Sequence, residues 1–196
     1  MQDEHRVHNP GSSPSGAYLN QIAVIKGNSL VLNAMALLLF GVAYALFYVL
    51  IWNVQRPEGL TQWTVLVVVA GGLVLIVVHE LIHAAMAWSI IGRGAVGLRV
   101  RLMVVECYVS SCLTRNQYIR YAVAPTLVLG LIGIALYYVL PSVEGKLFAS
   151  LLFLASVAGG GGDFWFIVRV LRYHRNCSIL DRGTVLDIFE SDPNEP

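Results

Sequence analysis

The chain has 196 residues, of which 57% are hydrophobic and only 13% are charged, and its formal net charge is +1. Soluble domains carry about 25% charged residues, so this composition excludes an ordinary soluble protein and indicates an integral membrane protein. The small net charge does not suggest nucleic acid as a partner. The three cysteines, Cys107, Cys112 and Cys177, match no metal-binding spacing.

The N-terminal segment differs in composition from the rest of the chain. Residues 1–16 are polar and rich in Gly, Ser and Pro, so we predict a disordered N-terminal tail. This segment has no apolar core of the kind that signal peptidase recognises, and we therefore expect no cleaved leader.

Four apolar segments are long enough to cross a bilayer, which takes about 20 residues of helix. They cover residues 30–52, 63–91, 121–140 and 147–171. The predicted fold class is therefore an all-α membrane protein with four transmembrane helices. Residues 17–172 form the predicted membrane domain, and residues 173–196 form a predicted cytoplasmic C-terminal tail.

The distribution of basic residues predicts the orientation of these spans. All of the 13 Lys and Arg residues except Arg56 and Lys146 lie toward the side of both termini, in the tails, the second loop or the end of the fourth span. Since cytoplasmic segments carry the excess of Lys and Arg, both termini are predicted to face the cytoplasm.

Two segments outside the spans carry strand patterns. Residues 96–109 are rich in β-branched and apolar residues, and the alternation from Leu98 to Leu102 predicts a strand or hairpin beside the membrane. An amphipathic surface segment held by its arginines is the alternative. Near the C-terminus, the turn signal Asp181-Arg182-Gly183 lies between short apolar runs and predicts a small cytoplasmic hairpin.

The second span ends in the pattern His79-Glu80-Leu81-Ile82-His83, after a stretch from 59 to 78 without a charged residue. Residues four apart share one helix face, so both imidazoles can bind one metal ion while Glu80 takes a proton from an activated water. Each ionisable side chain in a membrane costs about 2.5 kcal/mol or more, which makes packing a poor explanation. The alternative is a buried hydrogen-bonded cluster or a proton path.

A catalytic zinc site usually has three protein ligands, so a further residue must complete this one. Met86 and Ser89 stand where the metzincin pattern requires Gly and His, which excludes that class. The remaining candidates are Asp163, Glu106 and His174.

Depth in the membrane favours Asp163. His79 and Asp163 each lie 16 residues from the predicted outer ends of their spans, at Trp63 and Leu147, so both are about 24 Å down. Alternatively, the glycine run at 159–162 interrupts the helix and Asp163 is the N-cap of a new segment, a role compatible with metal binding. Glu106, in the strand-like loop, is the second candidate, and His174, beyond the membrane edge among arginines, is the third.

A His-Glu-x-x-His motif in one span, with Gly162-Asp163 in a later span, resembles the site-2 protease class of intramembrane zinc peptidases. The layout from Trp63 to Phe189 is more closely similar to the putative zincin peptidases, a family of small bacterial membrane proteins. The resemblance implies a Zn²⁺ cofactor and a bacterial cell membrane, with His79 and His83 as metal ligands and Glu80 as general base. It also implies that Asp163 takes the place of the aspartate in a Leu-Asp-Gly motif, although Phe164 follows it here.

These residues predict an intramembrane zinc metalloprotease that acts on a membrane protein or a membrane-bound peptide. The strand-like second loop is a candidate for receiving an extended substrate by edge pairing. Two alternatives remain open: a zinc-dependent hydrolase of a lipid ester or amide, and a non-enzymatic metal-binding protein such as a transporter, regulator or scaffold.

Overall fold

The structure is a computed structural model that describes residues 19–51, 62–101 and 104–191. The predicted disordered tail, residues 1–16, and the last residue of the first predicted span lie outside these ranges. The described chain is mostly helical, with α1 at Ser29–Ile51, α2 at Gln62–Ile91, α3 at Arg115–Val139, α4 at Val143–Gly159 and α5 at Gly161–Val170. Its strands are β1 at Leu19–Lys26, β2 at Val96–Arg101, β3 at Val104–Val109, β4 at Leu113–Thr114, β5 at Ser178–Asp181 and β6 at Val185–Ser191.

Three helical segments in the described residues are long and apolar enough to cross a membrane. They are Val74–Ile91 within α2, Arg115–Val139, and Val143–Val170, which contains α4 and α5. These segments indicate a membrane protein. In α1 the apolar helix found among the described residues, Leu30–Val42, is shorter, so the structure supports three of the four predicted spans and the first stays a prediction.

Local sequence explains where α3 and α5 begin. Thr114 caps α3 in a reciprocal capping box with Gln117, in which each side chain accepts a hydrogen bond from the other residue's backbone N–H. The helix therefore begins before the predicted span at 121. The predicted fourth span is interrupted at Gly160, and α5 begins at Gly161.

The four-stranded antiparallel sheet, in the order β1-β6-β5-β4, was not predicted. Its longest pairing joins the two ends of the described chain, from Leu19 opposite Ser191 to Lys26 opposite Val185. The all-α class is therefore too narrow, since a sheet accompanies the helices. The register shifts between Gln21 and Ala23, and this bulge breaks the alternation of apolar residues that would have revealed β1.

Both predicted hairpins are confirmed. Strands β2 and β3 pair antiparallel from Val96 opposite Val109 to Arg101 opposite Val104. Strands β5 and β6 pair through the Asp181-Arg182-Gly183 turn. Gly183 has a φ of 92°, which glycine adopts without strain, and its N–H donates to Asp181 Oδ1 at 2.7 Å.

The hydrophobic core connects the sheet to the ends of the helices. Residues of the sheet share one core cluster with residues of α2, α3 and α5, and burial of each large apolar side chain contributes about 1.5–3 kcal/mol. This core holds the second half of α2, the start of α3 and the β2–β3 hairpin close together. Its buried residues include Ile25, Leu186, Ile188, Tyr118, Ala122, Phe166, Val170, Ala84 and Ala87.

Candidate metal centre

His79 and His83 lie one turn apart on α2 and direct their imidazoles to the same side of the helix. Their ring centroids are 4.9 Å apart, and the residues are only 9% and 3% exposed. The spacing of four residues along the helix therefore brings two potential metal-ligand nitrogens into one buried site, as the sequence predicts.

Asp163 contacts both histidines. Its Oδ2 lies 3.1 Å from Nε2 of His79 and 3.4 Å from Nε2 of His83. The residue lies in the first turn of α5, whose N-cap is Gly160, and no side chain caps this helix. The cap interpretation of Asp163 is therefore wrong, and its carboxylate faces the imidazoles instead.

The hydrogen bond on the far side of the His83 ring fixes its tautomer. Nδ1 of His83 lies 3.0 Å from the backbone carbonyl of Tyr121. Because a carbonyl oxygen only accepts, Nδ1 carries the proton, and a neutral His83 has its lone pair on Nε2. That lone pair faces a carboxylate oxygen, and the two repel each other unless a proton or a metal ion lies between them.

The distances agree with those of a zinc site. Two ligand atoms of a tetrahedral site with bonds of about 2.0–2.1 Å are about 3.3–3.4 Å apart. The two separations between Asp163 Oδ2 and the histidine nitrogens, 3.1 and 3.4 Å, are close to this value. His79, His83 and Asp163 can therefore hold a zinc ion, while their role as its ligands stays a prediction.

Glu80 lies beside the histidines but has a different partner. Its Oε2 accepts a hydrogen bond of 2.8 Å from the backbone N–H of Cys107 on β3. Its carboxylate also lies close to the imidazoles, because one potential ligand atom from each of Glu80, His79 and His83 falls within 4.8 Å of the others. Glu80 is therefore held between α2 and the β2–β3 hairpin, next to the candidate metal position.

All four of these side chains line one cavity of about 340 Å³. The helices α2 and α4 supply an apolar part of its wall, and the two hairpins supply a polar part that includes Glu106, Asp181 and Thr184. The cavity is thus large enough for a few residues of an extended peptide next to the candidate metal position.

The other two predicted candidates do not contact the histidines. Glu106 lines the same cavity, but its Oε2 lies 3.6 Å from Nη2 of Arg99, its partner across the hairpin. His174 is exposed, and its Nδ1 accepts a hydrogen bond of 3.4 Å from the N–H of Asn176. Of the three candidates for the third ligand, only Asp163 is brought to the imidazoles.

Sequence reasoning missed three residues around the site. Tyr121 and Cys107 act through a backbone carbonyl and a backbone N–H, for which side-chain patterns give no signal. Asp181 was assigned only to a turn, yet it is 5% exposed and lines the cavity. Burial raises the pKa of Asp181 to about 7, against the lowering effect of its hydrogen bond from Gly183.

Comparison with known proteins identifies a family. The model of the family described as "putative zincin peptidase" matches residues 72–178, which is more than half of the chain. The matched range contains His79, Glu80, His83 and Asp163, and a zincin uses zinc as its metal. No curated protein and no solved structure matches this chain.

Proposed function

Since the chain belongs to the putative zincin peptidase family, we propose that it is an intramembrane zinc metalloprotease that hydrolyses a peptide bond of a membrane protein or a membrane-bound peptide. One observation carries the proposal: two histidines, an aspartate and a glutamate converge in one cavity beside helices of membrane-spanning length. A proton path is the alternative, and the spacing favours the metal site, because two imidazole nitrogens lie 3.1 and 3.4 Å from one carboxylate oxygen, as the ligand atoms of a zinc site do.

In this proposal His79, His83 and Asp163 hold the zinc ion, which gives the three protein ligands of a catalytic site. When bound, zinc supplies a Lewis acid that polarises the scissile carbonyl and lowers the pKa of water to about 7. The Tyr121 carbonyl keeps the Nδ1 proton of His83 in place, and this leaves Nε2 as the donor atom.

Glu80 is the proposed general base. Its carboxylate removes a proton from the attacking water while the water oxygen bonds to the carbonyl carbon, and returns that proton to the leaving nitrogen as the C–N bond breaks. The N–H of Cys107 holds one carboxylate oxygen at 2.8 Å and thereby orients the other toward the cavity.

Strand β3 is the proposed docking edge for the substrate backbone. In an antiparallel pair, alternate residues direct their N–H and C=O groups toward the partner strand. The N–H of Cys107 points to Glu80 and not to β2. The backbone N–H and C=O groups of Val105, Cys107 and Val109 therefore face away from β2. An unwound substrate that pairs with this edge would lie directly beside the general base.

The proposed orientation places both termini in the cytoplasm of a bacterial cell, because basic residues cluster at that side. The two hairpins would then cover the cytoplasmic side of the cavity. A C-terminal fluorescent-protein fusion is expected to fluoresce, and a C-terminal alkaline phosphatase fusion to be inactive. The reverse pair of results would contradict this orientation.

The function is tested with purified full-length protein in nanodiscs and fluorogenic peptides. Glu80→Gln should keep stoichiometric zinc and lower kcat about 10²- to 10⁴-fold, because it removes the base without removing a ligand. His79→Ala and Asp163→Ala should lose zinc by elemental analysis. Glu144→Gln, which changes an exposed glutamate in the first turn of α4, is the matched control and should retain full activity.

Equal activity of wild type and Glu80→Gln would exclude the proposed base. Transport or scaffolding by a metal-binding protein would tolerate this substitution, whereas a hydrolase of either peptides or lipids would not. Hydrolysis of a lipid ester or amide, with no cleavage of any peptide, would replace the protease with the lipid hydrolase.

A further inference from the structure

The cavity beside the metal centre has two chemically different parts. On the side of the membrane helices it is lined by apolar residues of α2 and α4, among them Leu75, Ile76 and Ala155. On the side of the hairpins it is lined by Glu106, Asp181 and the β5–β6 turn. A peptide that runs through the cavity therefore passes from an apolar wall, across the candidate metal position, to an acidic wall.

No Lys or Arg lines this cavity among the described residues. Of its carboxylates, Asp163 contacts the histidines and Glu80 is bound by the Cys107 N–H. Asp181 accepts a hydrogen bond from the Gly183 N–H inside its own turn. Glu106 is the one cavity-lining carboxylate in the described chain without an assigned role in the reaction or in a turn.

The ion pair between Glu106 and Arg99 is long and partly exposed. The separation of 3.6 Å between Arg99 Nη2 and Glu106 Oε2 exceeds hydrogen-bond distance, and the Arg99 side chain is 45% exposed while that of Glu106 is 19% exposed. Arg99 Nη2 also lies 3.4 Å from the Arg182 carbonyl, and the Arg99 guanidinium lies 5.5 Å from the centroid of the Tyr108 ring. Such a partly exposed pair contributes little stability, so another cation can replace Arg99 at small cost.

Glu106 is also fixed next to the reaction centre. It precedes Cys107, whose N–H binds the proposed general base, and the side chains of Glu106 and Glu80 line the same cavity. Gly183 packs against it, because a Cβ built on Gly183 would lie 3.3 Å from Glu106 Oε2. The glutamate is therefore packed against the β5–β6 turn in the same cavity as the candidate metal position.

We propose that Glu106 is a specificity residue that binds a Lys or Arg side chain of the substrate beside the scissile bond, while the apolar wall accepts the adjoining hydrophobic segment. The substrate class is then the junction between a membrane span and a basic juxtamembrane segment. This inference deepens the proposed protease function and rests on it. In the protein without substrate, the Arg99 guanidinium lies beside the Glu106 carboxylate, and the substrate cation displaces it.

The test uses three synthetic peptides that share one apolar segment and differ at a single neighbouring residue, which is Lys, Gln or Glu. Binding is measured by fluorescence anisotropy to zinc-loaded, full-length Glu80→Gln protein in nanodiscs, and cleavage is measured with the wild type. The Lys peptide should bind about tenfold more tightly than the Gln peptide, which corresponds to about 1.4 kcal/mol, and the Glu peptide should bind most weakly.

Variants assign this preference to Glu106. Glu106→Gln should reduce the preference to less than about twofold, Glu106→Lys should invert it, and Arg99→Gln should increase it by removing the competing cation. Glu144→Gln and Arg172→Gln change exposed charges outside the cavity and should leave it unaltered. If a Glu106 variant fails to retain zinc, Arg99→Gln still decides when it is compared with Arg182→Gln, which also removes a neighbouring positive charge: competition for Glu106 predicts a stronger preference in Arg99→Gln alone, and an equal gain in both variants would contradict it.

Equal binding of the Lys and Gln peptides, or a preference that persists in Glu106→Gln, would overturn the inference. Cleavage of all three peptides at the same rate would overturn the role of Glu106 in specificity but would still support the proposed protease function. A Lys preference in binding without any cleavage would contradict the protease and support selection of the cation by Glu106.

Discussion

The break between α4 and α5 is expected to set the position of Asp163, and two neighbouring glycines allow this to be tested. A Cβ built on Gly161 would lie 2.7 Å from Cα and N of Ala36 on α1, whereas a Cβ on Gly162 has no described atom within 4 Å. Gly161→Ala therefore introduces a steric overlap with the backbone of α1. Gly162→Ala introduces the same methyl group into open space.

The size of the effect follows from these distances. Ordinary contact begins at 3.4 Å, so Gly161→Ala requires α5 to move by about 0.7 Å relative to α1. Asp163 lies two residues further along α5, and a metal site tolerates changes of only about 0.2 Å in ligand distance. We expect Gly161→Ala to lower zinc affinity about 10- to 100-fold, like the loss of a supporting residue, and to cost about 1–3 kcal/mol in stability through overpacking.

The measurement is the zinc dissociation constant, obtained by chelator competition with the purified protein, together with its thermal unfolding. Gly162→Ala should bind zinc as tightly as the wild type and should be as stable or slightly more stable, because alanine favours a helix over glycine. Equal zinc affinity of the two variants would refute the reasoning that close packing of α5 on α1 positions the carboxylate.

Two further predictions concern the hairpins. Asp181 has a pKa raised to about 7 from an unfolded value near 3.8, so unfolding releases its proton between these pH values and its contribution to stability falls as pH rises through that window. The free energy of unfolding of the purified protein should therefore fall by up to about 1.4 kcal/mol per pH unit in this window, and Asp181→Asn should remove this pH dependence. The same pH dependence in wild type and variant would contradict the prediction. Val105→Pro removes a backbone N–H that faces away from β2 and should lower kcat/KM for peptides. Val105→Ala keeps that N–H and should leave kcat/KM unchanged. Equal activity of the two variants would argue against substrate pairing with β3.

The sequence predicted the parts of the site that depend on local geometry. The spacing of His79 and His83 places both rings on one face of a helix whatever the tertiary structure, and the structure shows this. Equal depth in two spans was enough to select Asp163 over Glu106 and His174 for contact with the imidazoles. The zinc cofactor and the family also agree with the expectation from the motif.

The sheet could not be predicted because its pairings join distant parts of the chain. Strand β1 pairs with β6 at the other end of the described chain, and the bulge between Gln21 and Ala23 hides its alternation. Strand β4 has only two residues, too few to form a pattern. The same pairings bring Asp181 to the cavity, which explains why its burial was missed.

The β2–β3 hairpin supplies a backbone N–H group of a kind that the interior of a helix does not offer. Inside a helix every backbone N–H is bonded to the carbonyl four residues earlier, so a helical membrane domain has few N–H groups for a catalytic carboxylate. The outer edge of a two-stranded sheet leaves alternate N–H groups free, and that of Cys107 reaches Glu80 at 2.8 Å. Cys107 and Val109 are only 3% and 2% exposed, so the proposed pairing with an unwound substrate uses the part of this edge before Cys107. In the proposed function a single strand therefore both orients Glu80 and receives the peptide, which would explain a β-hairpin directly beside the motif in a mostly helical chain.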